Sequence, residues 1–183
     1  MNVCVLGAGA WGTALARILS LNGHHVTLWG HDASHLDEIQ EARVNERYLP
    51  GVHLGDCLHF ESNLAKAAAE KQCIVLAVPS KAFRATASNL PTQSALLASV
   101  TKGIEFESGK TMCEVLAELH PESAAIALSG PTLAAEVARD VPAAIVAASD
   151  RDEAAQAAQK LFHRPTFRVY TSRDVRGVEL GGA

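Results

Sequence analysis

Residues 3–19, VCVLGAGAWGTALARIL, run from an apolar β-branched stretch through a glycine cluster into an Ala/Leu-rich stretch with helical spacing. Little else in the chain constrains the fold as much, because a strand must turn sharply onto a helix within a few residues. Gly7, Gly9 and Gly12 fall in the spacing G-x-G-x-x-G. In that spacing the first glycine permits the tight turn and the second brings the backbone against a pyrophosphate. The third lets the helix pack close to the strand. The helix N-terminus then offers unpaired N–H groups and a partial positive charge to an anion. The spacing alone is weak. Directly after a strand and at the opening of a helix, it points to a dinucleotide site.

The rest of the chain repeats the alternation. Strands are expected at 2–6, 25–29, 73–78, 95–100, 124–128, 143–148 and 166–170, with a weaker one near 57–61. Helices are expected at 10–22, 33–44, 62–71, 81–89, 110–119, 131–139 and 151–162. Ser34, Ser62 and Ser80 serve as start signals, and Asp150 stands before the last long helix. Most of the strands are apolar on both faces, as parallel strands covered on each side are. The fold class expected is α/β, a doubly wound, mostly parallel Rossmann-type sheet with helices on both faces. Residues 45–57, with Pro, Gly, Asn and Asp, read as loop. Residues 1–183 read as one domain, a size that can bury a real core.

Composition excludes several classes. A net charge of −4 and no Lys/Arg block interleaved with aromatics give no footprint for nucleic acid. Apolar runs such as 73–79 fall far short of the about 20 residues that cross a bilayer. Met1 leads straight into a strand with no basic region or cleavage site, so a cytoplasmic protein is expected. The four cysteines, Cys4, Cys57, Cys73 and Cys113, form no C-x-x-C pair and read as structural. The eight histidines show no metal-ligand spacing, so no metal is expected.

Ligands of such a sheet bind beyond the C-terminal ends of its strands, and four stretches lie there. In VTLWGHD (26–32) the acid that usually holds the adenosine ribose comes late, after Gly30 and His31. His31 is either an exposed loop residue or a contact to a 2′-phosphate, and NADP is permitted. In AVPSKAF (77–83) Pro79 stops the strand, and Phe83 either lines the cofactor channel or fills the core. In SVTKGIE (99–105) Lys102 follows a buried strand. It either presents its ammonium to a phosphate or carbonyl oxygen or stands solvated. In SGPTLAAEVA (129–138) Gly130 and Pro131 make a turn, and Thr132 opens a helix whose N–H groups face the same edge. The chain ends on SRDVRGVELGGA, which starts like a helix and carries no stop signal. A fragment of a larger protein is expected.

Taken in order, GAGAWGTALA (7–16), VTLWGHD, LAVPSKAF (76–83), SVTKGIE, SGPTLAAEVA and FRVYTSRDVRGVELGGA (167–183) resemble bacterial-type NAD(P)-dependent glycerol-3-phosphate dehydrogenase over the whole chain. The resemblance implies reduction of dihydroxyacetone phosphate to sn-glycerol 3-phosphate with NADH or NADPH, feeding phospholipid synthesis, in a protein that dimerises. It implies that Trp11, His31, Phe83 and Ala134 line the cofactor site, with Gly7, Gly9, Ala10, Gly12 and Pro79 beside them. Lys102 would touch both substrate and cofactor, and Gly130 and Thr132 would border the substrate. Ala10 stands where many relatives carry Ser, which removes one hydroxyl contact to the pyrophosphate. The resemblance puts a proton-donating lysine and a helical substrate domain beyond Ala183. The chain is then expected to bind cofactor without turning over. Two other readings stay open. One is the cofactor domain of a 6-phosphogluconate or hydroxyacyl type dehydrogenase, and the other is a non-catalytic nucleotide-sensing module.

Overall fold

The structure, a computed structural model, describes residues 1–91 and 95–182, and Ala183 at the end of the closing motif lies outside them. In chain order the first elements are β1 (Asn2–Leu6), α1 (Ala10–Leu21), β2 (His25–Trp29), α2 (Ala33–Ala42), β3 (Val44–Asn45), β4 (Leu49–His53), β5 (Leu58–Glu61) and α3 (Leu64–Ala68). There follow β6 (Cys73–Leu76), α4 (Ser80–Ser88), β7 (Leu96–Ser99), α5 (Met112–Leu119) and β8 (Ala124–Ser129). The last are α6 (Ala134–Val137), β9 (Ala143–Ala148), α7 (Asp152–Phe162), β10 (Phe167–Ser172) and α8 (Val175–Gly181).

Successive side chains of a strand point to opposite faces, and β1 shows the consequence. Val3 and Val5 belong to a core that includes Leu15, Ile18 and Leu19 of α1 and Phe162 of α7. Cys4 and Leu6 belong to a second core with Phe83 and Ala87 of α4 and Val115 and Leu116 of α5. All four β1 residues are wholly buried. Each fully buried large side chain contributes roughly 1.5–3 kcal/mol, so both faces of β1 have to be covered.

Eight strands form one sheet in the order β10-β9-β8-β7-β6-β1-β2-β5, and β3 pairs only with β4 in a second, two-stranded sheet. The chain builds outward from β1 to β2 and β5, then crosses back to β6, β7 and β8. The order reverses between β1 and β6, which pair in parallel with Val3 opposite Cys73. In such sheets the crevice at this reversal, beyond the strand C-termini, takes the ligand. The Rossmann-type reading holds, with one antiparallel pair, β8 against β9, set by Leu128 opposite Ala147.

Several local expectations need correction. Residues 45–57 are not all loop, since β3 and β4 form a hairpin there, fastened by the wholly buried Asn45. The helix expected at 131–139 shrinks to α6, because Thr132 N–H turns back onto the Gly130 carbonyl (2.9 Å) and Leu133 is the extended cap. Thr132 therefore does not open a helix. The caps are Asp32 and Asn63, one or two residues away from the serines expected to serve, since their carboxylate and amide oxygens accept from His35 N–H and Lys66 N–H. Pro79 and Arg151 precede α4 and α7 and make no side-chain cap. Arg43, in the left-handed region at φ 53°, ends α2. That conformation costs about 1 kcal/mol, and the guanidinium offsets it by donating to the Leu58 carbonyl (3.0 Å) and lying over Phe60.

A candidate cofactor cleft and its lysine corner

The strand ends of β1, β2, β6 and β7 open on one cleft of about 530 Å³. Gly7 to Trp11 form its floor, Trp29 to Asp32 one end, Ala77 to Ser80 a wall, and Val100 to Lys102 the far corner.

The three glycines of the turn do different work. Gly7 sits at φ +122°, and a Cβ there would lie 2.6 Å from the Ala77 carbonyl oxygen. A Cβ on Gly12 would collide with the Gly7 carbonyl. Both are required by the chain's own packing. A Cβ on Gly9 meets nothing within 4 Å, and its φ of −80° suits any residue. Nothing among the described residues demands glycine there, whereas a ligand pressed onto the backbone would. A dinucleotide pyrophosphate fits this cradle.

The turn is held rigidly. Gly7 N–H donates to the Trp29 carbonyl (2.9 Å) and Ala77 N–H to the Leu6 carbonyl (2.8 Å). Asn45 Nδ2 donates to the Ala8 carbonyl (3.0 Å) and to Thr13 Oγ1 (2.8 Å). The first turn of α1 has no side-chain cap and no acid, so its N–H groups and dipole face the cleft unneutralised.

At the far corner Thr101 Oγ1 donates to the Val78 carbonyl (2.7 Å), which ties the β7 end to the β6 end. Lys102 follows, exposed, with no hydrogen bond or ion pair among the described residues. It lines the cleft and also two adjoining hollows, one with Trp11, Gly130, Thr132 and Ala134 and one with Gly130, Gly177 and Gly182. Three residues further on, Glu105 receives the Arg84 guanidinium through two bonds (2.7 and 2.8 Å), and Arg84 also reaches Glu118 (2.8 Å). Hydrogen bonds from Arg84 pull the Glu105 and Glu118 carboxyls down to about 2. This pins the loop that carries Lys102 onto α4 and α5.

The structure thus brings Gly7, Gly9, Ala10, Trp11, His31, Pro79 and Lys102 to the cleft. Gly12 lies wholly inside α1, beneath the turn. Gly130, Thr132 and Ala134 stand in the adjoining hollow, joined to the cleft through Trp11 and Lys102. Phe83 does not line the cleft. It is wholly buried, because α4 turns Phe83, Thr86 and Ala87 toward the sheet. Cys4 and Cys73 are buried thiols pushed up to about 12 by desolvation, and neither lines the cleft. Among the described residues no His/Cys/Asp/Glu cluster suits a metal. Sequence reasoning missed His35, Arg47 and Tyr48, which line the cleft beside His31. The available signal was an Arg-Tyr pair inside the supposed loop, two residues after Asn45.

The family model for the N-terminus of NAD-dependent glycerol-3-phosphate dehydrogenase matches residues 2–155. The chain belongs to that family. Among curated relatives of this glycerol-3-phosphate dehydrogenase family, the chain is 42% identical over 189 residues to glycerol-3-phosphate dehydrogenase [NAD(P)+] of Chlorobium limicola. The match uses all of this chain and 57% of that protein. To the same-named protein of Lysinibacillus sphaericus it is 45% identical over 188 residues, covering all of this chain and 56% of the other. The crystal structure of glycerol-3-phosphate dehydrogenase from Coxiella burnetii superposes with a TM-score of 0.93 at 35% identity, over 99% of this chain and 56% of that one. The chain therefore spans little more than half the length of the family members it matches. Among the described residues no helix is long and apolar enough to cross a membrane.

Proposed function

We propose that this chain is the cofactor-binding portion of an oxidoreductase that interconverts dihydroxyacetone phosphate and sn-glycerol 3-phosphate with NADH or NADPH. One observation carries the reading. The glycine cradle and the unpaired Lys102 ammonium share one cleft, and Lys102 also opens onto the hollow of Gly130 and Thr132.

The α1 N-terminus and the backbone at Gly9 hold the pyrophosphate. Pro79 and Trp11 bound the channel that leads from it to Lys102. When bound, the nicotinamide cofactor supplies the redox chemistry. Lys102 places a positive charge where a ketone oxygen becomes an alkoxide, and it also attracts the substrate phosphate. Gly130 is held to glycine by the packing of β9, because a Cβ there would lie 2.9 Å from the Ala144 carbonyl oxygen, and Thr132 adds a hydroxyl at the rim of the same hollow. The proton donor lies beyond Ala183 on this reading, so the chain by itself binds cofactor and turns nothing over. The whole protein works in the cytoplasm as a dimer, supplies glycerol 3-phosphate to phospholipid synthesis, and takes no nucleic acid.

Titration of NADH and NADPH against the chain, followed by nicotinamide fluorescence, tests the reading. Saturable binding of at least one dinucleotide, weakened several-fold by Lys102→Ala, is expected. Failure of both dinucleotides to bind would refute cofactor binding. Turnover of dihydroxyacetone phosphate by the chain alone would refute the assignment of the proton donor.

A further inference from the structure

The hairpin at 44–53, most of which falls in the stretch 45–57 expected as loop, brings a cation to the end of the cleft where the adenosine ribose of a bound dinucleotide lies. That end is fixed by the fold, since the ribose sits at the C-terminus of the second strand when the pyrophosphate sits on the glycine turn. In dinucleotide sites of the NAD type, an acid at that point accepts the ribose hydroxyls. Here β2 ends at Trp29 and is followed by Gly30 and His31. The first acid, Asp32, is already committed. Its Oδ1 accepts from Ser34 Oγ (2.7 Å) and from His35 N–H (3.2 Å) as the cap of α2.

Arg47 stands opposite. Its guanidinium lies 3.8 Å from Asp32 Oδ2, beyond hydrogen-bond reach, and 5.2 Å from the centre of the Tyr48 ring. Among the described residues it donates no hydrogen bond, so beyond this loose ion pair and the Tyr48 ring its planar fork of N–H groups is open to a ligand. The hairpin beneath it does not float. Asn45, two residues earlier, is wholly buried and anchors the hairpin to the Ala8 carbonyl of the glycine turn. Its Oδ1 accepts from Tyr48 N–H (3.2 Å) and faces His35 Nε2 (3.1 Å). The distance from the glycine turn to Arg47 is thereby set by buried hydrogen bonds.

We infer that Arg47 reads the 2′-position of the adenosine ribose and gives this cleft a preference for the 2′-phosphorylated dinucleotide, NADPH, over NADH. The inference rests on the cofactor-binding reading above. A guanidinium fork matches a phosphate in two parallel bonds, and a neutral 2′-hydroxyl gains little from it. Asp32 opposes this only weakly, because its charge is shared among the α2 cap and Arg47 itself. His31, at the same end, is a second donor and not the main one, since no contact holds its ring in place among the described residues.

Equilibrium titrations of NADPH and NADH on the full chain test the inference, with thermal melts to verify folding. Wild type is expected to bind NADPH about tenfold or more tightly than NADH. Arg47→Ala, at a side chain already 60% exposed, should weaken NADPH about tenfold and leave NADH within about twofold. Arg47→Lys should fall between, since it keeps the charge and loses the fork. Raising salt from about 0.05 M to about 0.5 M should narrow the wild-type preference and leave that of Arg47→Ala unchanged. The inference is overturned if Arg47→Ala weakens both dinucleotides equally or neither. It is also overturned if His31→Ala alone erases the preference. Absence of binding by either dinucleotide to wild type is a different result, and it overturns the cofactor reading beneath.

Discussion

The first turn of α5 has its N–H groups answered by side chains on several sides, while the first turn of α1 receives none. Glu114 N–H donates to Thr111 Oγ1 (3.4 Å), and Thr111 N–H donates to Glu114 Oε2 (2.9 Å). Cys113 N–H donates to Glu179 Oε1 of α8 (2.9 Å), and Arg176 of the same helix pairs with Glu114. α8 has no fully buried residue, so these polar links add to the packing of Val175 and Val178 on Cys113, Ala127 and Ala148, whereas α1 buries seven residues. α1 starts on Gly9 with no cap and no acid in its first turn. The start of α5 is closed by the chain itself. The start of α1 lies open at the sheet's ligand edge, over a glycine cradle, where an anion would find its N–H groups free.

The sharpest way to break this comparison uses the glycines that serve packing. Gly12→Ala drives a methyl into the Gly7 carbonyl and should cost about 3 kcal/mol or more, read as a collapse of the denaturation midpoint. If the variant melts like wild type, the tight strand–helix contact is not what that glycine provides. Lys102→Ala should leave stability within about 0.5 kcal/mol, since the ammonium has no partner to lose. Its effect should appear only in cofactor titrations, and an unchanged isotherm would remove Lys102 from the cleft's work. Thr111→Ala removes one cap of α5 and should cost about 1 kcal/mol while cofactor binding stays at the wild-type level. Weaker binding in that variant would mean that the two helix ends are not independent.

The smallest effect concerns acid. The Glu105 and Glu118 carboxyls titrate near 2 in the folded chain, below the roughly 4.3 of a free glutamate. Depressed folded values contribute stability above the unfolded value, and that contribution is lost as pH falls from about 4.3 toward 2. Wild type should therefore exceed Arg84→Ala in melting temperature at neutral pH, with the gap closing as pH drops through that window. These side chains are solvent-screened, so the gap is small. A gap that widens toward acid would contradict the assignment.

The two sides of the comparison were not equally legible in the sequence. The glycine turn, the strand–helix alternation and Lys102 at a strand end could be read because each is a local pattern. Phe83 could not be placed, since only the packing of α4 against the sheet decides which face of that helix is buried. The start of α2 slipped from Ser34 to Asp32, since neighbouring polar residues compete for the same N–H groups. The 44–53 hairpin escaped because β3 has two residues and β4 carries Pro50 and Gly51. Its anchor, Asn45, donates to residues more than thirty positions away. With the hairpin went Arg47 and Tyr48. The antiparallel setting of β9 was likewise a matter of long-range pairing.

The central claim is that the open start of α1 is a dinucleotide site, and Gly9→Ala tests it most directly. The added methyl meets no protein atom within 4 Å, so the melting temperature should not fall. Affinity for NADPH and NADH should both drop about tenfold or more, because the methyl occupies the place of the pyrophosphate. A variant that is equally stable and binds both dinucleotides as wild type does would contradict the account.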